Sequence, residues 1–365
     1  MHFSTIIAGA LAAVAVTAHP GHDHHQEMEE RRAMLQHTRR DLGHCMAKMK
    51  ARGLEGRSLK RRSTKTTNLT KNRGLKERDL TSLLNVSHES TESYSLSTPE
   101  TTIFASNNSC VLSPEVTEGP YYVSGEYIRQ NIVESQEGVP MTIELQVLDV
   151  ETCEPVDGEL LEIWHCNSTG VYSGVSASGN GASDTDTSNL NATFLRGVQE
   201  TDSDGVAQFE TLFPGHYTGR TTHIHVMLHM NATAQANGTL LDTTASHVGQ
   251  VFFDQDLITS VEATEIYATN TQELTTNADD GILSEEAASS DPFVQYVLLG
   301  DSIEDGLLAW LAFGVNTTLS KSVSAAATLY DTGGQANANA GVVGGPGGGS
   351  PPSGFPSSTA VPTSA

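Results

Sequence analysis

The chain has 365 residues and a formal net charge of −24, and 37% of its residues are hydrophobic. This length is enough for one large domain or two small ones. Of the 20 Lys and Arg residues, 16 lie between Arg31 and Arg78, and beyond residue 80 four basic residues face 36 acidic ones. Such an acidic surface repels phosphates, so the composition excludes nucleic acid as a partner.

The N-terminus has the features of a secretory signal. An apolar run from Ile6 to Val16 ends in the small-residue cleavage pattern Val16-Thr17-Ala18. The run is far shorter than the roughly 20 residues of a membrane-spanning helix. We therefore predict a signal peptide over residues 1–18, a secreted protein, and no membrane segment after cleavage. Eight N-x-S/T sequons agree with a secreted glycoprotein: Asn68, Asn85, Asn107, Asn167, Asn191, Asn231, Asn237 and Asn316.

Residues 19–109 are predicted to form a His-rich, helical and basic N-terminal extension. The His-rich start can bind Cu²⁺ or Zn²⁺, or can be a solvated tail. Gln26–Arg52 carries a ragged apolar stripe that is typical of a helix. Arg57–Arg78 is basic, and its Lys60-Arg61-Arg62 is interpreted either as a processing site or as part of a solvated linker. Residues 79–109 are rich in Ser and Thr and predict a loose connector.

Four cysteines, Cys45, Cys110, Cys153 and Cys166, predict two disulfides in an oxidising compartment, with three possible pairings. A Cys153–Cys166 bond is disfavoured, because the strand predicted between these residues spans about 25 Å, whereas disulfide Cα atoms lie within about 7 Å. We favour Cys45 and Cys110 each bonding to the domain that follows. Free buried thiols are the alternative.

Short alternating segments separated by turns predict a β-sandwich over residues 110–330. Ile258–Thr269 predicts a short helix. From Gly333 onward Gly, Pro, Ser and Ala dominate, so residues 331–365 are predicted to be a disordered tail. The predicted strands are Met141–Val150, Glu159–Cys166, Val206–Leu212, Val248–Phe253 and one within Asp301–Asn316.

The segment Leu212–Met230 carries the clearest chemical signal. In a strand, His223 and His225 project from one face and the apolar residues between and after them line the other. Two imidazoles at this spacing can reach one metal ion. Tyr172 and Tyr217 precede them along the chain, and phenolates suit Fe(III), whereas zinc is usually held by Cys, His and carboxylate.

The order and spacing of Tyr172, Tyr217, Arg220, His223 and His225 resemble the intradiol ring-cleavage dioxygenases, the superfamily of the catechol and protocatechuate dioxygenases. The resemblance covers roughly residues 114–315 and suggests a secreted, fungal-type member. It implies a mainly β fold, a β-sandwich with iron at the rim of its sheets. It also implies that the two tyrosines and the two histidines bind Fe(III).

The resemblance further implies that a small aromatic diol and O₂ react at this iron to give a muconate-type product. Tyr217 would accept a proton from the diol and leave the metal, and Arg220 would stabilise negative charge on the ring. The expected substrate pocket contains Pro120, Tyr121, Tyr122 and Gln250.

Two other histidines are expected to lie outside the ligand set: His165 with a structural hydrogen-bonding role, and His229 on the ligand face but too far along the strand. Two rival functions stay open: a non-catalytic, metal-binding β-sandwich at the cell wall or surface, and a Zn²⁺ or Cu²⁺ enzyme that uses the His-x-His motif. The sequence also leaves open a homodimer.

Overall fold

The computed structural model describes residues 42–74, 109–111, 119–177, 179–181, 187–242, 244–245, 247–287 and 291–337. The predicted signal peptide, the His-rich tract, most of the predicted connector and the tail beyond residue 337 lie outside the described residues. None of the helices in these ranges is both long enough and apolar enough to span a membrane. The predicted domain boundaries stay predictions.

The described residues form four α-helices and sixteen strands. The helices are α1 (Met46–Ala51), α2 (Leu54–Asn72), α3 (Gln255–Glu262) and α4 (Gly281–Ala287). The strands are β1 (Ser109–Val111), β2 (Val123–Ser124), β3 (Glu126–Tyr127), β4 (Pro140–Asp149), β5 (Leu160–Trp164), β6 (Arg196–Glu200), β7 (Val206–Leu212), β8 (His223–His229), β9 (Thr239–Leu240), β10 (Thr244–Ala245), β11 (His247–Phe252), β12 (Gln295–Leu298), β13 (Leu307–Val315), β14 (Lys321–Ser322), β15 (Ala327–Tyr330) and β16 (Gly333–Ala336).

Two sheets form the expected sandwich. The first sheet has the order β1-β13-β4-β7, with β12 also pairing β13, and the second has the order β11-β8-β5-β6. One apolar cluster fills the space between them, with contributions such as Ile143 and Phe209 from the first sheet and Ile163 and Val226 from the second. Alternate residues of these strands project inward, as the period-2 pattern predicts. The β-sandwich fold is confirmed.

The other face of the second sheet carries the site residues. His223 and His225 of β8 project away from the core, while Ile224 and Val226 enter it. Loops cover this outer face and pack Tyr121, Tyr122, Tyr172 and Tyr217 against it in a second buried cluster. The face is therefore enclosed, although it lies outside the sandwich core.

The basic segment of the N-terminal extension is an ordered helix. Arg61 and Arg62 of α2 both donate to the buried carboxylate of Glu144 on β4, at 2.8–3.0 Å. The Arg62 guanidinium also lies 4.9 Å from the ring centre of Trp310. The solvated-linker interpretation is therefore wrong, because ion pairs to the sheet hold a helix that has few apolar residues. Processing at the dibasic sequence stays a prediction.

A disulfide joins Cys45 to Cys153 and anchors the N-terminal helices to the sandwich. This agrees with the predicted role of Cys45. The expectation of a disulfide at Cys166 is wrong, because its thiol is free and buried in the loop after β5, where its Sγ lies 3.3 Å from the carbonyl oxygen of Gly215. The predicted bond from Cys110 to the domain is wrong as well, because Cys45 occupies Cys153 and the Cys166 thiol is free.

The predicted disorder from Gly333 onward is wrong for the first residues of that segment. Gly333–Ala336 form β16, which pairs antiparallel with β15. Gly333 adopts a φ of 112°, a left-handed conformation that favours glycine. The glycines that suggest disorder thus serve the tight turn between two strands.

Candidate metal centre

Four buried side chains lie side by side across the second sheet, and one of them is the predicted ligand His225. Gln250 on β11 pairs with His225 on β8, His225 pairs with Trp164 on β5, and Trp164 pairs with Arg196 on β6. Directly opposed residues of neighbouring strands project from the same face of a sheet. The row therefore lies on the outer face of the second sheet, beside the tyrosines of the covering loops.

Three candidate ligand atoms surround a fourth, Nε2 of His223. The Nε2 atom of His223 lies 3.1 Å from Nε2 of His225, 3.4 Å from Oη of Tyr217 and 3.5 Å from Oη of Tyr172. Two donors that bind one ion at about 2.1 Å and near-right angles are roughly 3.0–3.4 Å apart. The spacing is thus that of neighbouring ligands of a single metal ion.

The protonation states also suit metal binding. Nδ1 of His223 donates to the carbonyl oxygen of Thr221 at 2.6 Å, so Nε2 presents a lone pair to the site. Burial lowers the pKa of His225 well below its ordinary value, which keeps this imidazole neutral. Its ring is stacked on Trp164 with centroids 4.8 Å apart and planes 2° apart. Burial raises the pKa of Tyr172 and of Tyr217, so ionisation of these phenols requires a bound cation.

Arg220 is held at the edge of this group by two side-chain hydrogen bonds and by a tight turn of the backbone. Its Nε donates to Oδ2 of Asp280 at 2.8 Å, and its Nη2 donates to Oε1 of Gln250 at 2.5 Å. The backbone N–H of Arg220 donates to the carbonyl of Tyr217 at 3.3 Å across a tight turn. Gly219 permits this turn with a φ of 91°. The guanidinium is fully buried.

The predicted pocket residues occupy different positions. The Tyr121 ring stacks on Tyr172 with centroids 4.8 Å apart and meets Tyr217 edge-on at 5.9 Å, so it borders the site. Tyr122 packs instead on Trp164 at 5.2 Å, and Pro120 is half-buried just before Tyr121. The pocket roles of Pro120 and Tyr122 stay predictions.

The neighbouring histidines have other partners. His165 lies 2.8 Å from the Cys166 carbonyl and 2.7 Å from the Thr211 hydroxyl, which is the expected structural role. His229 lies 2.8 Å from a carboxylate oxygen of Glu162 and 3.3 Å from one of Asp242. Both imidazoles are thus engaged away from the four converging atoms.

Comparisons with known proteins agree with this arrangement. A family model described as Dioxygenase matches residues 117–288, which include all five residues of the predicted motif. The intradiol ring-cleavage dioxygenase from Tetranychus urticae is 33% identical, with 57% of this chain and 96% of that protein covered and a TM-score of 0.47. The chain belongs to the intradiol ring-cleavage dioxygenase superfamily.

Two further relatives were found. Catechol 1,2-dioxygenase 1 of Acinetobacter lwoffii is 32% identical over 110 residues, 29% of this chain and 32% of that enzyme, so the chain matches about a third of the length of this curated relative. The dioxygenase domain of a carbohydrate-binding fusion protein from Streptomyces sp. SirexAA-E is 24% identical, with 57% of this chain and 97% of that domain covered and a TM-score of 0.35.

Two residues of this dioxygenase-family site escaped the sequence analysis. Asp280 pairs with Arg220 from a position 60 residues further along the chain. Arg196 is completely buried at the start of β6 and contacts the loops that carry Tyr121 and Tyr172. One signal was available for Arg196: it is one of only four basic residues beyond residue 80.

Proposed function

We propose that the chain is an extracellular Fe(III)-dependent intradiol dioxygenase that cleaves catechol-type aromatics with O₂ to muconate-type products. The observation that carries this proposal is the convergence of Tyr172, Tyr217 and His225 on Nε2 of His223 within 3.1–3.5 Å. Membership of the superfamily supports ring cleavage in general, and the ligand set supports the metal.

The donor set fits a ferric ion. Phenolate oxygens are hard, negatively charged ligands, and a cation acidic enough to ionise two buried phenols must be strongly charged. His223 and His225 add two neutral imidazoles whose Nε2 atoms face each other at 3.1 Å. Zinc usually binds Cys, His and carboxylate, and no such residue other than the two histidines is among the converging atoms in the described part of the site.

Tyr217 and Arg220 would have different roles in the proposed reaction. When bound, the ferric ion would supply a Lewis acid that holds the diol and draws electron density from its ring. Oη of Tyr217 would accept a proton from a diol hydroxyl, because burial raises the pKa of this phenol and favours its protonated form. The guanidinium of Arg220, fixed by Asp280 and Gln250, supplies positive charge where the ring oxygens become negative.

The overall reaction balances without any further reductant. The bond between the two hydroxyl-bearing carbons of the diol breaks, and both atoms of O₂ end in the product, so catechol would give the dicarboxylic acid muconic acid. Burial of Tyr121, Tyr172 and Tyr217 limits the access of water to this centre. Hydroxyquinols are a second substrate group with the same vicinal diol.

The test of the proposal is metal analysis and a visible spectrum of the purified protein, followed by oxygen uptake with catechol, hydroxyquinol and protocatechuate. We expect one iron per chain, a reddish phenolate-to-iron band and uptake with at least one diol. Tyr267→Phe is a matched control for the loss of a ligand tyrosine, because the buried Tyr267 hydroxyl donates to the carbonyl oxygen of Phe213 at 2.5 Å, away from the proposed metal ligands. It should leave the band in place.

A colourless protein that holds zinc or copper would instead favour a different metalloenzyme. A coloured protein that takes up no oxygen with any of the three diols would favour the non-catalytic metal-binding function. Either result would overturn the proposal.

The extracellular location is part of the same proposal. It is supported by the apolar N-terminal run, the sequons and the Cys45–Cys153 disulfide, since disulfides persist mainly in oxidising compartments. Expression in a secreting host should release a protein that starts at His19, as determined by mass spectrometry of its N-terminus. A protein that is retained in the cell with Met1 in place would contradict it.

A further inference from the structure

Arg196 is a fully buried, positively charged residue to which the proposed reaction gives no role. Its Nε donates to the carbonyl oxygen and the hydroxyl of Ser173, both at 3.0 Å. Its Nη2 donates to the carbonyl oxygen of Tyr121 at 2.6 Å and to that of Ser173 at 2.7 Å. A guanidinium presents its N–H donors in a rigid planar fork, so one side chain can hold two loops at a fixed separation.

Both loops carry tyrosines of the site. Ser173 directly follows Tyr172, and the other carbonyl belongs to Tyr121 itself. The rings of Tyr121 and Tyr172 are stacked, with centroids 4.8 Å apart and planes inclined by 30°. Arg196 therefore fixes the backbone on both sides of this stacked pair.

Side chains also hold the backbone at Tyr172 itself. The backbone N–H of Tyr172 donates to Oδ1 of Asn180 at 2.7 Å, and Nδ2 of Asn180 donates back to the Tyr172 carbonyl at 2.9 Å. With Arg196 bound to the next carbonyl, the backbone around Tyr172 has little freedom. Tyr217 lies beside the glycine turn before Arg220.

The charge of Arg196 also acts on Tyr172. The guanidinium carbon lies 5.9 Å from the centre of the Tyr172 ring. Its carboxylate neighbour is Glu126, with Oε1 3.7 Å from Nε, but burial raises the pKa of Glu126 to about 8, so most of this carboxyl is neutral at pH 7. Both side chains are buried, where charges are weakly screened, so a guanidinium at this distance favours a phenolate at Tyr172.

We propose that Arg196 is a positioning residue for Tyr172: its fork holds the Tyr172 ring against Tyr121, and its positive charge stabilises the phenolate that binds the metal. This inference rests on the proposed function, because it concerns a tyrosine that binds iron. It assigns the residue at the start of β6 to the metal centre, although no atom of Arg196 is a ligand.

The test is a double-mutant comparison on the full-length protein loaded with Fe(III). Arg196→Gln and Arg196→Lys are each made in a Tyr217→Phe background, where only Tyr172 gives the phenolate band, and in a Tyr172→Phe background, where only Tyr217 does. Removing the positive charge raises the energy of the phenolate electrons. Arg196→Gln should therefore move the band to longer wavelength in the Tyr217→Phe background and leave it unchanged in the other.

Arg196→Lys keeps the charge but loses the fork. It should keep the band position in the Tyr217→Phe background, while the affinity for Fe(III), measured by competition with a chelator, falls about 10–100-fold, as is typical when the support of a metal ligand is removed. Arg73→Lys is the matched control. Arg73, just after α2, also donates to a backbone carbonyl, that of Asp305 at 2.8 Å, but it lies on the side of the first sheet, away from the tyrosines. Its variant should change neither readout.

The possible results are distinct. A band shift confined to the Tyr217→Phe background supports the inference, and no shift, or an equal shift in both backgrounds, overturns it. If Arg196→Gln does not fold, unchanged iron affinity in Arg196→Lys overturns it and a selective loss supports it. A wild-type protein that binds iron without any phenolate band would overturn the proposed function, and the inference with it.

Discussion

The buried ion pair between Arg220 and Asp280 gives a sharp test of how the site is held together. Three donors converge on the two oxygens of Asp280: Nε of Arg220 at 2.8 Å and the N–H of Thr221 at 2.7 Å on Oδ2, and the N–H of Leu283 at 2.8 Å on Oδ1. An asparagine at this position has one acceptor oxygen and one NH₂ group. In Asp280→Asn at least one donor therefore faces another donor, and the guanidinium loses its counter-charge.

We expect Asp280→Asn to lower the free energy of unfolding by about 3–5 kcal/mol, because removing one partner leaves the other charge buried and uncompensated. Urea unfolding of the variant and the wild type, with equal slopes, measures this loss. Asp279→Asn is the matched control: Asp279 is exposed, it accepts from the Thr276 hydroxyl, and its change should stay within about 0.5 kcal/mol. A loss below about 1 kcal/mol in Asp280→Asn would refute the reasoning.

Four further predictions concern the ligands, the disulfide and the buried charges. Tyr217→Phe should bleach or shift the visible band, and an unchanged band would show that this phenol does not bind the metal. Cys45→Ser opens a disulfide between residues 108 positions apart and should lower the unfolding free energy by about 2–5 kcal/mol in urea titrations, so equal stability would contradict it. Glu144→Gln leaves two arginines facing a neutral side chain and should cost about 3–5 kcal/mol by the same assay, with a cost near zero as the contrary result. Burial lowers the pKa of His229, but its hydrogen bonds to Asp242 and Glu162 outweigh burial and raise this pKa to about 9. The stability that the protonated imidazole contributes is therefore complete below about pH 6.5 and is lost as pH rises through about 9. A pH series of melting temperatures should show this decline, and His229→Gln should flatten it.

The sandwich and the ligand set could be predicted because both depend on local sequence rules. Period-2 alternation fixes which side of β8 carries His223 and His225, and the same rule gives β4 and β13. The resemblance then supplies the two tyrosines, whose phenol oxygens do meet the histidines. Short-range patterns were sufficient wherever one face of a strand is buried.

Helix α2 was missed because its stability comes from distant partners. Its sequence is basic and carries few apolar residues, which is the composition of a linker. Glu144, more than 80 positions along the chain, provides the buried carboxylate that pairs with Arg61 and Arg62. No reading of the helix segment alone contains this information.

The supporting residues of the site were missed for the same reason. Asp280 and Arg196 reach the candidate metal centre only because the sheet register and the loop after Gly219 bring separated segments together. Gln250 is the opposite case: the resemblance named it as a pocket residue, and the strand register sets it directly opposite His225, where it accepts from Arg220.

The way Arg61 and Arg62 are bound has a practical consequence for proteolysis. A protease that cuts after paired basic residues takes its substrate as an extended strand, whereas here the pair lies in a helix whose guanidinium groups are occupied by Glu144. Cutting requires α2 to leave the sheet first, so the rate of cleavage reports how often that opening occurs. A protease that cuts this chain at Arg61-Arg62 would therefore act either before α2 docks on the sheet or after α2 has been released from it.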